Sequence, residues 1–464
     1  MRRRVLEKSL TLAVVTLTLC CGSVFFARSA VAAETVITLN SVGSAPVNMN
    51  APLGFMDAVK VALARSDGLR STRVEIESSK LADKDTWYRL FPKLNLVATY
   101  NLPVLKDKQN PTKYKESVNL SFNTGNYDPI IAYLSNDVSR SAVTLAAVLH
   151  VIAIEEMMEK IGISFITING LESEISSRKE LVRELESLER YTAQKLSAGT
   201  IASLDHELVV QRLALARHEL AKSMREQSLT RRSLKRLIGL TSQDNVVFSA
   251  TANATQELTS IQDAEAALQP EALLKNNLQL QAQSLKEKLE GFKVTLAKAE
   301  HLPKFVFGLT TPDPLSNQGG NLPYYVTLGA TVPIWAWGET MRGVEQAELK
   351  SLSSKVKGRL LLQTIQQSAD DLQFALQASE ESTKLYDTAA KLRSIEAQRE
   401  EIAFNSNKTT YDTVIAARQA AITSRIEAIT SQVALEKARL KLKVAMGKLL
   451  SEYVRVNYGE LEKN

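Results

Sequence analysis

Phe91-Pro92-Lys93-Leu94-Asn95-Leu96-Val97-Ala98-Thr99-Tyr100 ends a helical pattern and begins a strand within ten residues. Proline has no backbone donor and clashes with the preceding turn, so Pro92 stops a helix. From there Leu94, Leu96, Ala98 and Tyr100 alternate with Asn95, Val97 and Thr99, the period-two pattern of a strand with one apolar face. The chain repeats this stretch at Leu302-Pro303-Lys304-Phe305-Val306-Phe307-Gly308-Leu309. Apolar residues at helical spacing lead into each one, from Phe55 to Arg89 and from Pro270 to Glu300. After each comes a polar loop, Leu105 to Glu116 or Thr311 to Pro323. A second alternating run follows: Val118, Leu120 and Phe122, then Val326, Leu328, Ala330 and Val332.

Beyond the strands proline disappears. None lies between Pro129 and Pro270, and none follows Pro333. The two runs are rich in Ala, Leu, Glu, Lys and Gln, which favour helix, over Ser135 to Ser197 and Thr340 to Asn405. About 60 residues at 1.5 Å each give rods of roughly 90 Å, which must pack side by side. Each run has one break, at Ala198-Gly199-Thr200 and at Ser406-Asn407-Lys408, before return helices at Ser203 to Ile238 and Thr410 to Leu450. Matching anchors keep a nearly constant separation: 211 for Leu94 and Phe305, 208 for Leu120 and Leu328, 207 for Asp205 and Asp412, and 208 for Gly239 and Gly447. The chain is therefore one module written twice. It is mainly α, with long helical hairpins and four strands of about membrane-crossing length. Four strands cannot close a barrel and lipid tolerates no open edge, so membrane strands would have to be pooled from several chains.

The N-terminus reads as a secretory signal over residues 1–32. Arg2, Arg3, Arg4 and Lys8 precede an apolar stretch from Leu10 to Phe26, and Ala30-Val31-Ala32 offers a cleavage site. The boundaries that follow are a first repeat over 33–240, an inter-repeat segment over 241–265, a second repeat over 266–450 and a tail over 451–464. The whole chain carries a formal charge of +6. Removing the leader takes away five basic residues and one acidic one, so the basic character belongs largely to the leader and nucleic acid is not an expected partner. Cys20 and Cys21 leave with it, excluding disulfide and thiolate chemistry. His150, His206, His218 and His301 are scattered, and no P-loop, dinucleotide fingerprint or nucleophile elbow occurs. No enzyme activity, metal site or cofactor is expected. Tyr100, Tyr324, Tyr325, Trp335 and Trp337 are candidates for an interfacial aromatic belt.

The chain resembles the TolC-type outer-membrane efflux protein family over roughly Gly54 to Leu450. The likeness lies in the helix–Phe-Pro-Lys–strand opening, in Thr331-Val332-Pro333-Ile334 followed by Gly338, in Gly199-Thr200-Ile201-Ala202-Ser203-Leu204-Asp205, and in Gly239 and Gly447 closing the return helices. The resemblance implies a homotrimer with a 12-stranded barrel in the outer membrane and a coiled-coil tunnel in the periplasm. Such a protein is the passive exit duct of a tripartite efflux or type I secretion system. Its partners are a periplasmic adaptor and an inner-membrane pump. Residues 241–269 and the tail would form a belt around the tunnel, and the breaks at Gly199, Ser406, Asn407 and Lys408 would be its periplasmic tip. By the same resemblance Asp205 links the first return helix to the second hairpin, Lys408 is a basic partner, and Asp412 is an aperture aspartate. A second aperture acid is replaced by Ile415, and an aromatic latch position is Ala403. The competing reading is a periplasmic adaptor or structural coiled-coil protein, which accounts for the helices but not for the symmetric strands.

Overall fold

A computed structural model describes residues 52–101, 117–241, 244, 246–249, 277–310, 325–332, 338–406 and 408–449. All of them belong to one compact unit, Ala45–Leu449. The leader, both strand-to-strand loops, Asn407, Tyr324, Trp335 and Trp337 lie outside the described residues.

Seven helices and four strands follow one another in the described chain. They are α1 (Phe55–Arg65), α2 (Asp67–Tyr88), β1 (Asn95–Asn101), β2 (Ser117–Asn123), α3 (Pro129–Ser197), α4 (Ser203–Leu237), α5 (Leu278–Ala299), β3 (Lys304–Thr310), β4 (Tyr325–Thr331), α6 (Glu339–Asn405) and α7 (Tyr411–Ala445). The order α2-β1-β2-α3-α4 recurs as α5-β3-β4-α6-α7. The long helices have 69 and 67 residues, and both return helices have 35. At 1.5 Å per residue α3 is roughly 100 Å long.

Helix α3 starts six residues before the sequence pattern suggests. Pro129 occupies its first turn, where no backbone donor is needed, and the Asp128 carboxylate accepts from the Ile131 N–H at 3.1 Å. The helix expected from Phe55 to Arg89 is two helices. At Ser66 the backbone turns extended (ψ 123°), and the carbonyl of Arg65 abuts the turn that ends α4.

The helices pack as four columns. Two columns are continuous, α3 and α6. The other two are split: α2 and α4 each flank α3, while α5 and α7 each lie between α3 and α6. At the tip end the lateral order is therefore α4, α3, α7, α6. Halfway along α3, Phe165 meets Phe55 and Phe248 edge-on, with ring centroids 6.3 and 5.9 Å away. Leu53 bonds there to Val247 and Ser249 through its backbone, so the described part of the inter-repeat segment sits at mid-height.

The strands form one antiparallel sheet in the order β1-β2-β3-β4. Opposite residues share a face. The register Leu96↔Phe122, Phe122↔Leu309, Phe305↔Ala330 and Phe307↔Leu328 therefore puts Leu96, Ala98, Tyr100, Leu120, Phe122, Phe305, Phe307, Leu309, Val326, Leu328 and Ala330 on one side. Ser121, Asn123, Thr310, Tyr325, Thr327 and Thr331 share the other side with Val97, Thr99 and Val306, so that side is mostly polar. Among the described residues little covers the apolar side: Leu328 is 73% exposed and Val326 72%.

Two turn glycines differ in what surrounds them. Gly199 ends α3 at φ 68° with open space around it, whereas Gly239 ends α4 at φ 76° with the Arg65 carbonyl where an added Cβ would lie. Gly199→Ala should cost only the left-handed backbone penalty, about 1–2 kcal/mol. Gly239→Ala adds a backbone clash and should lower the melting temperature by clearly more. Equal shifts would overturn the packing of that turn against α1.

Candidate functional site

The functional candidates gather where the hairpins turn. Both turns close alike: the Thr200 N–H bonds to the Lys195 carbonyl at 2.9 Å, and the Lys408 N–H to the Ala403 carbonyl at 2.8 Å. These are the six-to-one bonds of a helix C-cap motif. They make Lys195 and Ala403 counterparts in the two repeats. Ser406 caps α6, and Asn407 lies between described residues at the place where the first turn has Gly199.

Asp205 is the third residue of α4, and Asp412 is the second of α7. Aligning these two aspartates gives a separation of 207, one residue off the 208 that the caps and helix ends keep. Each nevertheless lines the same cleft of about 220 Å³ between α3, α4 and α7, together with Lys195, Arg212 and Gln419. Lys195 Nζ lies 3.7 Å from an Asp412 carboxylate oxygen and 4.5 Å from the centre of the Tyr191 ring. The Tyr191 hydroxyl first, and Asp412 after it, hold the ammonium above its ordinary pKa. Asp205 and Lys408 do not meet within one chain. Lys408 sits by α6 at one lateral side of the columns, and Asp205 is on α4 at the other.

Beneath the cleft the contacts are apolar. Leu188 of α3, Val209 of α4 and Ile415 of α7 form a cluster in which Ile415 is 0% exposed, with Tyr191 and Tyr411 packed against it. The two tyrosine rings meet edge-on at 4.6 Å, and Phe404 of α6 is 5.8 Å from Tyr411. Arg418 extends the contact up the helices, pairing with Glu401 of α6 at 2.8 Å and Glu184 of α3 at 3.3 Å. Burial works against its charge, but the two carboxylates outweigh burial and keep the guanidinium protonated. Arg425 reaches Glu180 of α3 at 3.0 Å.

Complete burial of an isoleucine is worth about 1.5–3 kcal/mol, and an edge-on aromatic pair about 0.5–1.5 more. Exposed ion pairs contribute little after side-chain ordering. The joint between α7 and α3 is thus held mainly by Ile415 and the tyrosines. Sequence reading missed Lys195, Tyr191, Tyr411 and Arg418, and placed Ile415 at an aperture. Lys195 was concealed by the duplication itself, since its counterpart is Ala403. Of the aromatic-belt candidates, Tyr100 and Tyr325 are described. They are exposed and lie on opposite faces of the sheet.

Two titratable groups stand out along the helices above the tip. His150 is buried, with Nδ1 2.7 Å from the Thr72 hydroxyl, and burial followed by Arg73 lowers its pKa. Glu155 is raised to about 7 by burial, then by Glu159 and Glu156, and its Oε1 finds no hydrogen-bond partner among the described residues. Among the described residues no group of acids, histidines and cysteines is arranged to hold a metal ion.

Residues 269–448 match the family model of outer membrane efflux proteins. No curated protein sequence matches the chain. Several solved structures share its fold. A membrane protein from Pseudomonas aeruginosa aligns at a TM-score of 0.72 and 16% identity, over 85% of this chain and 92% of the other. The outer membrane protein VceC from Vibrio cholerae aligns at 0.71 and 14%, over 85% and 96%. The outer membrane channel MtrE of Neisseria gonorrhoeae, in its open state, aligns at 0.68 and 13%, over 89% and 95%.

Glu155 makes stability depend on pH. Its folded pKa of about 7 lies above the unfolded value of 4.5, so its contribution is full below 4.5 and lost as pH rises through 7. Glu155→Gln should therefore flatten the fall in melting temperature between pH 5 and 8. At pH 8 the variant should be the more stable protein by roughly 1–3 kcal/mol. Parallel pH profiles for the two proteins would show that the carboxylate is not held protonated.

Proposed function

We propose, from the match of residues 269–448 to the outer membrane efflux protein family and from the fold shared with outer-membrane channels, that the chain is a TolC-type efflux protein and that three copies form a passive exit duct across the outer membrane. The observation that carries this reading is the four-stranded sheet. Among the described residues it has an uncovered apolar face, a mostly polar reverse face, and two unpaired edges at β1 and β4. Free edges are not tolerated in hydrocarbon. Because the strand number is even, β4 of one copy meets β1 of the next antiparallel, and three copies make 12 strands around a polar lumen. A coiled-coil adaptor would have no use for such a face.

The helices fit the same assembly. Apolar residues remain exposed on the two outer columns, among them Leu204 (65%) on α4 and Ile402 (68%) on α6. A neighbouring chain that sets its α6 beside α4 covers both and closes a tunnel of twelve columns. The split columns carry the belt at mid-height, and the hairpin turns form the periplasmic end. There Asp205 of one chain and Lys408 of the next latch the tip. A periplasmic adaptor docks at the turns, and an inner-membrane pump supplies the energy for transport. Residues 1–32 direct export and are removed.

Purified protein in planar bilayers should give discrete conductance steps, and a monomer without conductance would overturn the reading. The sheet faces offer a paired test. Leu328→Arg puts a charge on the lipid face, at about 2–4 kcal/mol if near the midplane, and should abolish assembly into outer membranes. Thr327→Arg points into the lumen and should assemble normally. Equal assembly of both variants would place the sheet outside the membrane.

A further inference from the structure

We propose that Lys304 and its repeat counterpart Lys93 ring the helix end of the barrel lumen with positive charge and favour anionic solutes there over cationic ones. The inference rests on the trimeric channel reading.

The strands are almost free of charge. Among the residues of β1, β2, β3 and β4, Lys304 alone is charged. The face that would line the lumen otherwise carries mostly amides and hydroxyls, among them Asn95, Asn119, Ser121, Thr310 and Thr327. Lys304 stands on that face, opposite Thr331 of β4, at the end of the sheet nearest the helices. Lys93 precedes β1 much as Lys304 opens β3. Each follows a proline, and they are 211 residues apart, the separation that Leu94 and Phe305 keep. Lys93 also lies two residues before Asn95, which belongs to the same face.

Strands β1 and β3 both run away from the helices, so a lysine recurs at every second strand. Two lysines per chain in three copies make a ring of six. The acids nearest in the chain, Asp128, Glu300 and Glu339, stand at helix ends and not on the sheet. The Asp128 carboxylate already accepts from the Ile131 N–H at 3.1 Å. Lys298 is paired with Glu348 at 3.0 Å, whereas neither Lys93 nor Lys304 is in an ion pair among the described residues.

The size of the barrel decides how far such a ring is felt. Twelve strands about 4.8 Å apart and tilted by about 40° enclose a backbone radius of about 12 Å. The screening length is about 10 Å at 0.1 M salt. In dilute salt the field of the ring therefore spans the lumen, and the low-dielectric wall concentrates it. A solute leaving the helical tunnel crosses this level to enter the barrel. Anions are enriched at that step and cations depleted.

The test reads the local potential with charged thiol reagents on the channel reconstituted in lipid vesicles. The chain's own cysteines, Cys20 and Cys21, lie in the leader, so Thr331→Cys supplies the only thiol of the processed protein. At 0.1 M salt an anionic sulfonatoethyl methanethiosulfonate should modify it several-fold faster than a cationic trimethylammonioethyl one, each rate taken relative to a free thiol. Lys304→Gln should reduce that ratio, and Lys93→Glu with Lys304→Glu should invert it. At 1 M salt, where the screening length is about 3 Å, the ratio should fall towards one. A ratio of one at 0.1 M, or a ratio that neither set of lysine substitutions moves, would overturn the proposal. Leu328→Cys, on the apolar face, should resist both reagents in lipid. Its modification as fast as that of Thr331→Cys would instead remove the channel reading, whatever the charge ratio.

Discussion

A helix of 69 residues has apolar surface along roughly 100 Å and cannot cover it by itself. The rest of the chain is arranged to meet that demand. Helices α2 and α4 divide one flank of α3 between them, and α5 and α7 divide the other. The split columns explain why the chain breaks where it does. The Arg65 carbonyl, at the end of α1, sits against the glycine turn that ends α4, so the change of column occurs where two chain ends must share space. Phe55, Phe165 and Phe248 fill the middle of α3 near that change.

The sheet follows the opposite logic. It buries little, and its apolar side chains form an unbroken face across four strands. In water such a face and two free edges would be an aggregation hazard. In hydrocarbon the same face is favourable, and only the edges would need partners. The solvents assigned to the two halves of the molecule are thus fixed by what each half leaves uncovered. The helices leave narrow apolar stripes at two lateral columns, and the strands leave an entire face.

Much of this was legible in the sequence. Proline spacing located the long helices to within about six residues, since a helix breaker is a local property. Period-two alternation gave the side chains of the apolar face, because the pleat allows only two faces. Other features depended on contacts between distant residues and left no local mark. The break at Ser66 lies in a continuous helical pattern and arises from the packing of Arg65 on the turn at Gly239. Lys195 reads as an ordinary basic residue in a last helical turn. Only the packing of α7 on α3 brings Asp412 to it. Asp205 and Asp412 looked like repeat partners because both follow a turn, yet the cap bonds place them one residue apart in register.

That single residue matters because a helix turns about 100° per step. Duplication gives the tunnel its frame, and a faithful copy would make every seam alike. At the tip the halves are no longer copies. Lys195 faces Ala403 in the repeat, Tyr411 faces Ser203, and Ile415 faces Glu207. Lys195, Tyr411 and Ile415 all belong to the junction of α7 with α3. At the turn end of the hairpins the repeats thus differ in the side chains that join α7 to α3.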